Sequence, residues 1–245
     1  MELGLNGKRA LVMGSSTGIG RAIAEGLINE GAKVAITSSN LDRISNTAKE
    51  IGAHAFFEAD LTQSGAGAEL VKSTIQKLGG IDILITNAGG PKKGVFGEIS
   101  ENQWKNDFQS LWLSVVEALN AALPSMKSQG YGRIAMITSI AAQEPLPGLT
   151  TSNGLRAGLS GLCKSVANEY APFGITVNAI LPGYTDTDRM KELNLPEEKI
   201  RQMVPAGRMA TPKEVSDLTC FVVSDCAGYI TGQSLLIDGG ASKSY

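Results

Sequence analysis

Short runs rich in aliphatic and β-branched residues alternate along the chain with longer amphipathic stretches, and this alternation limits the possible folds more than any other feature. The runs are RALVM (9–13), KVAITS (33–38), HAFFEA (54–59), DILIT (82–86), RIAMIT (133–138), ITVNAIL (175–181) and SLLID (234–238). Between them the spacing of apolar residues suits helices at roughly 18–30, 41–51, 66–79, 101–128, 152–172 and 212–224. Pro124 falls late in the fourth of these and is expected to kink its last turn. Strand and helix in regular turn predict an α/β protein with a parallel sheet. No linker, repeat or low-complexity tract divides residues 1–245, so one domain is expected. The segment 183–211 breaks the rhythm with Pro196, Pro205 and many charges, just beyond the carboxyl end of a strand. Ligands bind at that edge of open α/β sheets, which makes the segment a candidate lid.

Charge and composition exclude several classes of function. Lys plus Arg number 22 against 24 Asp plus Glu, a net charge of −2 with no block of one sign, which argues against a nucleic-acid partner. No apolar stretch reaches the roughly 18 to 20 residues of a membrane span, and MELGLNGKRALVM lacks the layout of a signal peptide. A cytoplasmic protein with no membrane partner is expected. Cys163, Cys220 and Cys226 form no CxxC motif and are expected to be buried, unpaired thiols. His54, the single histidine, reads as a strand or loop residue in IGAHAFF, and no zinc site is expected.

The stretch RALVMGSSTGIGRAIAEGL sets Gly14, Gly18 and Gly20 between the first strand and the first helix. Residues without a Cβ let the backbone turn tightly and approach a pyrophosphate, which the N–H groups and dipole of a helix N-terminus then stabilise. Ser15, Ser16 and Thr17 offer hydroxyl donors, and the strand-turn-helix context is that of a dinucleotide fingerprint. Such folds place an acid at the end of the second strand to hold the ribose 2′-hydroxyl of NAD. Here Thr37, Ser38, Ser39 and Asn40 stand there instead. Neutral hydroxyls can donate to a 2′-phosphate, so NADP is expected over NAD, and Arg43 could add charge.

Further segments carry a resemblance. Asp60-Leu61 follows the third strand, Asn87-Ala88-Gly89 the fourth, Ser139 the fifth and Pro182-Gly183 the sixth, and the chain closes on YITGQSLLIDGG. With GSSTGIG these closely resemble the short-chain dehydrogenase/reductases, in particular their 3-oxoacyl-acyl-carrier-protein reductase-like members. The resemblance implies a three-layer, doubly wound Rossmann fold with a single seven-stranded parallel sheet. It also implies a nicotinamide cofactor and a homotetramer. By position, Gly14, Ser16, Thr17, Gly18, Ile19 and Gly20, then Ser38 and Ser39, would hold the cofactor. Asp60 and Leu61 would contact the adenine, Asn87, Ala88 and Gly89 the ribose region, and Pro182, Gly183, Thr185 and Thr187 the carboxamide end.

The catalytic positions depart from the family, whose chemistry rests on an Asn, a Ser, and a Tyr and Lys spaced YxxxK. TSIAAQEPLPGLTTSNGLRAGLSGLCKS retains Ser139 but sets Ser152 where Tyr belongs and Arg156 where Lys belongs, while Leu111 replaces the Asn. A serine hydroxyl is a far poorer proton donor than a phenol of pKa about 10, and a guanidinium does not pass a proton on. Tyr170 and Lys164 lie too far along the helix to substitute. One reading is an oxidoreductase acting on a carbonyl or alcohol, in which Ser139, Ser152 and Arg156 hold and polarise the substrate. Tyr184, Glu144, Lys92 and Lys93 flank the same cleft by position and are candidate helpers. The alternative is a catalytically impaired cofactor-binding homologue serving as sensor or structural subunit. Non-redox chemistry fits less well, since the halohydrin dehalogenase relatives keep the Tyr and lose the glycine-rich turn.

The helices from 101 and 152 carry apolar residues on more than one face: Phe108, Leu111, Trp112 and Val115, then Leu155, Leu159, Leu162 and Val166. Such helices are buried against more than their own sheet, so a homo-oligomer, dimer or tetramer, is expected.

Overall fold

The computed structural model describes residues 1–191 and 196–244. Strands β1 (Arg9–Val12), β2 (Lys33–Ser38), β3 (Ala55–Glu58), β4 (Ile83–Thr86), β5 (Gly132–Ile137), β6 (Ile175–Pro182) and β7 (Ser234–Ile237) form one sheet. Its order is β3-β2-β1-β4-β5-β6-β7, and every neighbouring pair is parallel.

Side chains alternate across this sheet into two cores, which is why the runs read as continuously apolar. Leu11, Leu84, Ile134, Met136, Val177 and Ala179 point to one face, under helices α3 (Ala66–Leu78), α5 (Ser114–Gln129) and α6 (Thr150–Tyr170). Ala10, Val12, Ile83, Ile85, Ala135 and Ile180 point to the other, under α1 (Gly18–Asn29), α2 (Leu41–Ile51) and α9 (Pro212–Val222). The remaining helices are α4 (Glu101–Phe108), α7 (Asp188–Lys191) and α8 (Glu197–Met203). This is the three-layer, doubly wound arrangement, and the strand order reverses between β1 and β4, where a crevice opens above the carboxyl ends.

The segment read as one helix over 101–128 differs from expectation. Between α4 and α5 the chain makes a π-helical turn at Gln109–Leu113, and α5 then runs through Pro124 to Gln129, ending at Gly130 with φ +68°. Serine hydroxyls bind carbonyls around that wide turn: Ser114 Oγ donates to Ser110 O at 2.6 Å and Ser110 Oγ to Asp107 O at 3.4 Å. Cys163 and Cys220 are buried, which pushes both thiols up to about 11, but Cys226 is exposed and its Sγ donates to Glu2 O at 3.2 Å. His54 is a strand-edge residue, its N–H bonded to Val34 O at 2.9 Å. No helix among the described residues is long and apolar enough to cross a membrane.

Candidate active site

Two adjoining hollows of about 320 and 350 Å³ lie over the carboxyl ends of the strands and share Gly14, Thr17, Ala88, Gly89 and Gly90, forming one groove. Around one stand Gly18, Ile19 and Gly20 of the first turn, Asn87 after β4, Ser139 after β5, Ser152 and Arg156 of α6, and Pro182, Gly183 and Thr187 after β6. Around the other stand Ser16, Thr37, Ser38, Ser39, Asp60, Leu61 and Thr62. The structure thus brings together the cofactor and catalytic residues expected from sequence other than Thr185, while Ser15 and the candidate helpers Tyr184, Glu144, Lys92 and Lys93 lie outside the two hollows. Thr185 is buried behind the wall, its hydroxyl donating to Gly183 O at 3.2 Å while its backbone bridges Ala210. Gly90, Pro91 and Leu149 also line the groove and were not among the expected residues. The Gly-Gly-Pro after Asn87-Ala88 was the available signal for the first two.

The first turn is built to leave donors free. Thr17 precedes α1 with extended backbone and makes no side-chain cap, and the first turn of α1 carries no acid. The opening N–H groups and positive dipole end of the helix therefore face the groove with no carboxylate from the helix's own first turn competing for them. Gly18 turns the chain there with φ +56°, a conformation that L side chains rarely adopt. Asn87 braces the turn from across the crevice, its Nδ2 donating to Gly14 O at 2.8 Å. Ser15, expected as a donor to ligand, is fully buried: its Oγ donates to Val12 O at 2.6 Å and accepts Thr37 N–H at 2.9 Å.

At the β2 end, Ser16 Oγ donates to Ser38 Oγ at 3.0 Å, and Asn40 caps α2 by accepting Arg43 N–H at 2.8 Å. Ser39 is exposed beside them. Asp60 does not cap α3, which begins behind Gly65; it accepts both the N–H and the hydroxyl of Thr62, at 2.9 and 2.8 Å. Those bonds hold its carboxyl below the usual carboxylate range.

At the opposite end Ser139 opens a short 3₁₀ turn, Ile140–Ala142, its Oγ accepting Ala141 N–H at 3.1 Å. Ser152 and Arg156 are buried one turn apart on α6. Arg156 Nη1 donates to Ile137 O at 3.2 Å and Thr138 O at 2.6 Å, so the guanidinium is tied to the last carbonyl of β5 and the one after it, just before Ser139. Tyr184, Glu144, Lys92 and Lys93 line neither hollow, and neither do Lys164 and Tyr170. Asp107 Oδ2, on α4, and Thr151 Oγ1, on α6 beside Ser152, are buried and have no hydrogen-bond partner among the described residues.

Comparison with known proteins agrees with this geometry. Residues 14–242 match the family model described as enoyl-(acyl carrier protein) reductase. The 3-oxoacyl-(acyl-carrier-protein) reductase FabG of Haemophilus influenzae is 37% identical over 249 residues, covering 96% of this chain and 98% of its own. L-sorbose reductase of Gluconobacter frateurii, solved with NADPH and L-sorbose, is 28% identical over 100% of both chains with a TM-score of 0.95. A short-chain oxidoreductase of Pseudomonas aeruginosa PAO1, solved with NADPH and described as containing an atypical catalytic centre, is 27% identical. It covers 98% of this chain and 100% of its own, with a TM-score of 0.90.

Proposed function

Because the chain belongs to the short-chain dehydrogenase/reductase family, as a 3-oxoacyl-acyl-carrier-protein reductase-like member, we propose that it is an NADP-preferring oxidoreductase of a carbonyl or alcohol substrate. The observation that carries this reading is the groove itself: an uncapped helix N-terminus at one crossing, neutral hydroxyls at the β2 end, and Ser139, Ser152 and Arg156 at the other end. When bound, the cofactor supplies hydride. Gly14, Ser16, Thr17, Gly18, Ile19 and Gly20 would hold its pyrophosphate. Ser38 and Ser39 would hold the 2′-phosphate, Asp60 and Leu61 the adenine, and Asn87, Ala88 and Gly89 the ribose. Pro182, Gly183 and Thr187 would meet the carboxamide, with Thr185 bracing them from behind.

At the substrate end the chain's own residues would stabilise charge rather than deliver a proton from a phenol. Arg156, positioned by two backbone carbonyls, would set a cation near the oxygen that gains charge, with Ser139 and Ser152 as hydroxyl partners. The proton would come from water. Asp107 Oδ2 on α4 and Thr151 Oγ1 on α6, which have no hydrogen-bond partner among the described residues, are polar atoms of the kind that hold buried water. An atypical centre with bound NADPH in the Pseudomonas relative supports the compatibility of an altered site with the cofactor.

The segment 183–211, of which 192–195 lie outside the described residues, would act as the lid: it carries α7 and α8, and Thr185 and Ala210 near its ends form a bridge. A homo-oligomer, dimer or tetramer, is supported by apolar side chains left outside the cores. Phe108 is 41% exposed and stacks on Trp112 at 6.2 Å, and Phe96 is 75% exposed. A cytoplasmic setting is supported by free cysteines, the usual state of thiols under reducing conditions.

Calorimetric titration with NADPH and NADH, followed by absorbance at the reduced-nicotinamide band with a carbonyl panel, tests the proposal. Binding with substrate-dependent oxidation is expected. Tight binding with no turnover would favour the sensor or subunit reading, and no binding of either cofactor would sink both. The 2′-phosphate assignment has its own test in Ser39→Asp. A carboxylate there opposes a dianionic phosphate, so NADPH affinity should fall about 100-fold while NADH affinity changes by less than about tenfold. Equal losses for the two cofactors would remove Ser39 from the 2′ position.

A further inference from the structure

Glu144, a candidate for the chemistry from sequence alone, is engaged elsewhere. Its Oε2 accepts Ser242 Oγ–H at 3.0 Å and Lys243 N–H at 2.6 Å, contacts spanning nearly a hundred residues of chain. The segment it grips is shaped beforehand: Asp238, just past β7, accepts Gly240 N–H at 2.9 Å through Oδ1 and Ser242 N–H at 2.7 Å through Oδ2. Ser242 and Ser244 hydroxyls lie 2.7 Å apart, and Ser244 N–H donates to Ser242 Oγ at 3.2 Å. The same segment touches the candidate lid, because Ala206 N–H donates to Gly239 O at 3.0 Å, and the floor of the cleft, because Gly183 N–H donates to Ile237 O at 3.0 Å.

The loop that carries Glu144 runs from Ser139 to Leu149, two residues that line the groove. It is fastened at two further points. Asn153, next to Ser152, clamps Leu146 with both amide atoms, at 3.1 and 2.9 Å, and Gly94 N–H donates to Gly148 O at 2.9 Å. The contacts link four segments in series beside the substrate end: the loop after β4, the loop after β5, the C-terminal segment, and the lid segment. In that series the link between the β5 loop and the C-terminal segment is a carboxylate gripping a preshaped turn.

We propose that Glu144 is a positioning residue, which moors the segment 238–244 to the 139–149 loop and so couples the placement of Ser139 to the lid. The consequence for substrate rests on the reductase reading; the mooring does not. The Lys243 backbone N–H and the Ser242 hydroxyl hold the Glu144 carboxyl below the usual carboxylate range, which keeps the grip in its charged, stronger form at neutral pH.

Amide hydrogen exchange followed by mass spectrometry tests the mooring without requiring turnover. In Glu144→Ala, amides of 140–149 and 240–244 should exchange about tenfold faster than in the parent, while those of β1, β4 and β5 keep their protection. Glu144→Gln should restore most of the protection, because a single carbonyl oxygen can accept both donors. Ser242→Ala combined with Lys243→Pro removes the donors from the other side and should reproduce the Glu144→Ala pattern. Joining all three changes should add nothing further, as expected for a single shared contact. Unchanged loop exchange in Glu144→Ala, or effects that sum, would overturn the proposal. Should Glu144→Ala fail to fold, the Ser242/Lys243 variant carries the same comparison. NADPH titration of the same samples separates the two ideas: its affinity should be unaltered by the variants, and a parent that binds no NADPH would sink the reductase reading while leaving the exchange result standing. With a carbonyl substrate in hand, KM should rise more than kcat falls.

Discussion

Gly20→Ala is expected to reduce NADPH affinity by at least about 100-fold and to cost about 1–3 kcal/mol of stability, the usual penalty of forcing an extra methyl into a packed site. A Cβ at residue 20 would run into the Gly14 carbonyl oxygen, would lie 2.8 Å from Asn87 Nδ2, and would lie 2.9 Å from Ser15 Cα. Two of those three obstacles are backbone of the turn itself. Relief requires moving Gly14 away, which breaks the 2.8 Å bond from Asn87 and withdraws the turn from the groove it lines. Gly161→Ala is the control: residue 161 is an exposed position of α6 whose Cβ would meet nothing within 4 Å, so affinity should hold and stability should rise slightly. Calorimetric titration and thermal melts of both variants decide the matter. A Gly20→Ala protein binding NADPH within about threefold of the parent would show that the close packing is not what shapes the cofactor turn.

The sheet was legible because parallel strands covered on both faces read as apolar runs, and five of the seven are internal to the order. The edge strands β3 and β7 carry more exposed positions, and they were read from the apolar runs HAFFEA and SLLID. The glycine-rich turn was legible because Gly14, Gly18 and Gly20 stand where a strand gives way to a helix, and the structure places β1 and α1 on either side of it. What escaped was fixed by backbone partners or by distant chain. Ser15 could not be told from Ser16 as a ligand donor, because its partners are the Val12 carbonyl and the Thr37 amide. The π-helical turn at Gln109–Leu113 packs on α6, with Trp112 set where Gly158 has no side chain, and leaves no residue-type signal beyond that glycine. The Glu144 contact joins segments whose pairing depends on β7 lying beside β6. Thr185 was assigned to the wall because sequence gives its place in the chain but not the inward turn that bonds it to Gly183.

Arg156→Ala is expected to lower turnover by about 100- to 1,000-fold, the cost of removing one preorganised donor from a site where charge develops, with NADPH affinity held within about threefold. The two effects are expected to separate because the Arg156 bonds that fix its Nη1 run to Ile137 O and Thr138 O, whereas the proposed pyrophosphate site is the turn before α1. Stability should fall as well, by about 1–3 kcal/mol, since the buried carbonyls of Ile137 and Thr138 lose a donor. A structural strut and a charge stabiliser both predict that fall, so two further measurements are needed. Arg156→Lys keeps a cation able to reach one carbonyl but loses the planar fork; it should recover part of the stability and little of the turnover. Guanidinium ion added at millimolar concentration to Arg156→Ala should raise turnover in a saturable way, whereas an equal concentration of potassium ion should not. If Arg156→Ala turns over within about threefold of the parent, the arginine is a strut between α6 and β5, and the developing charge must be met by Ser139, Ser152 and water.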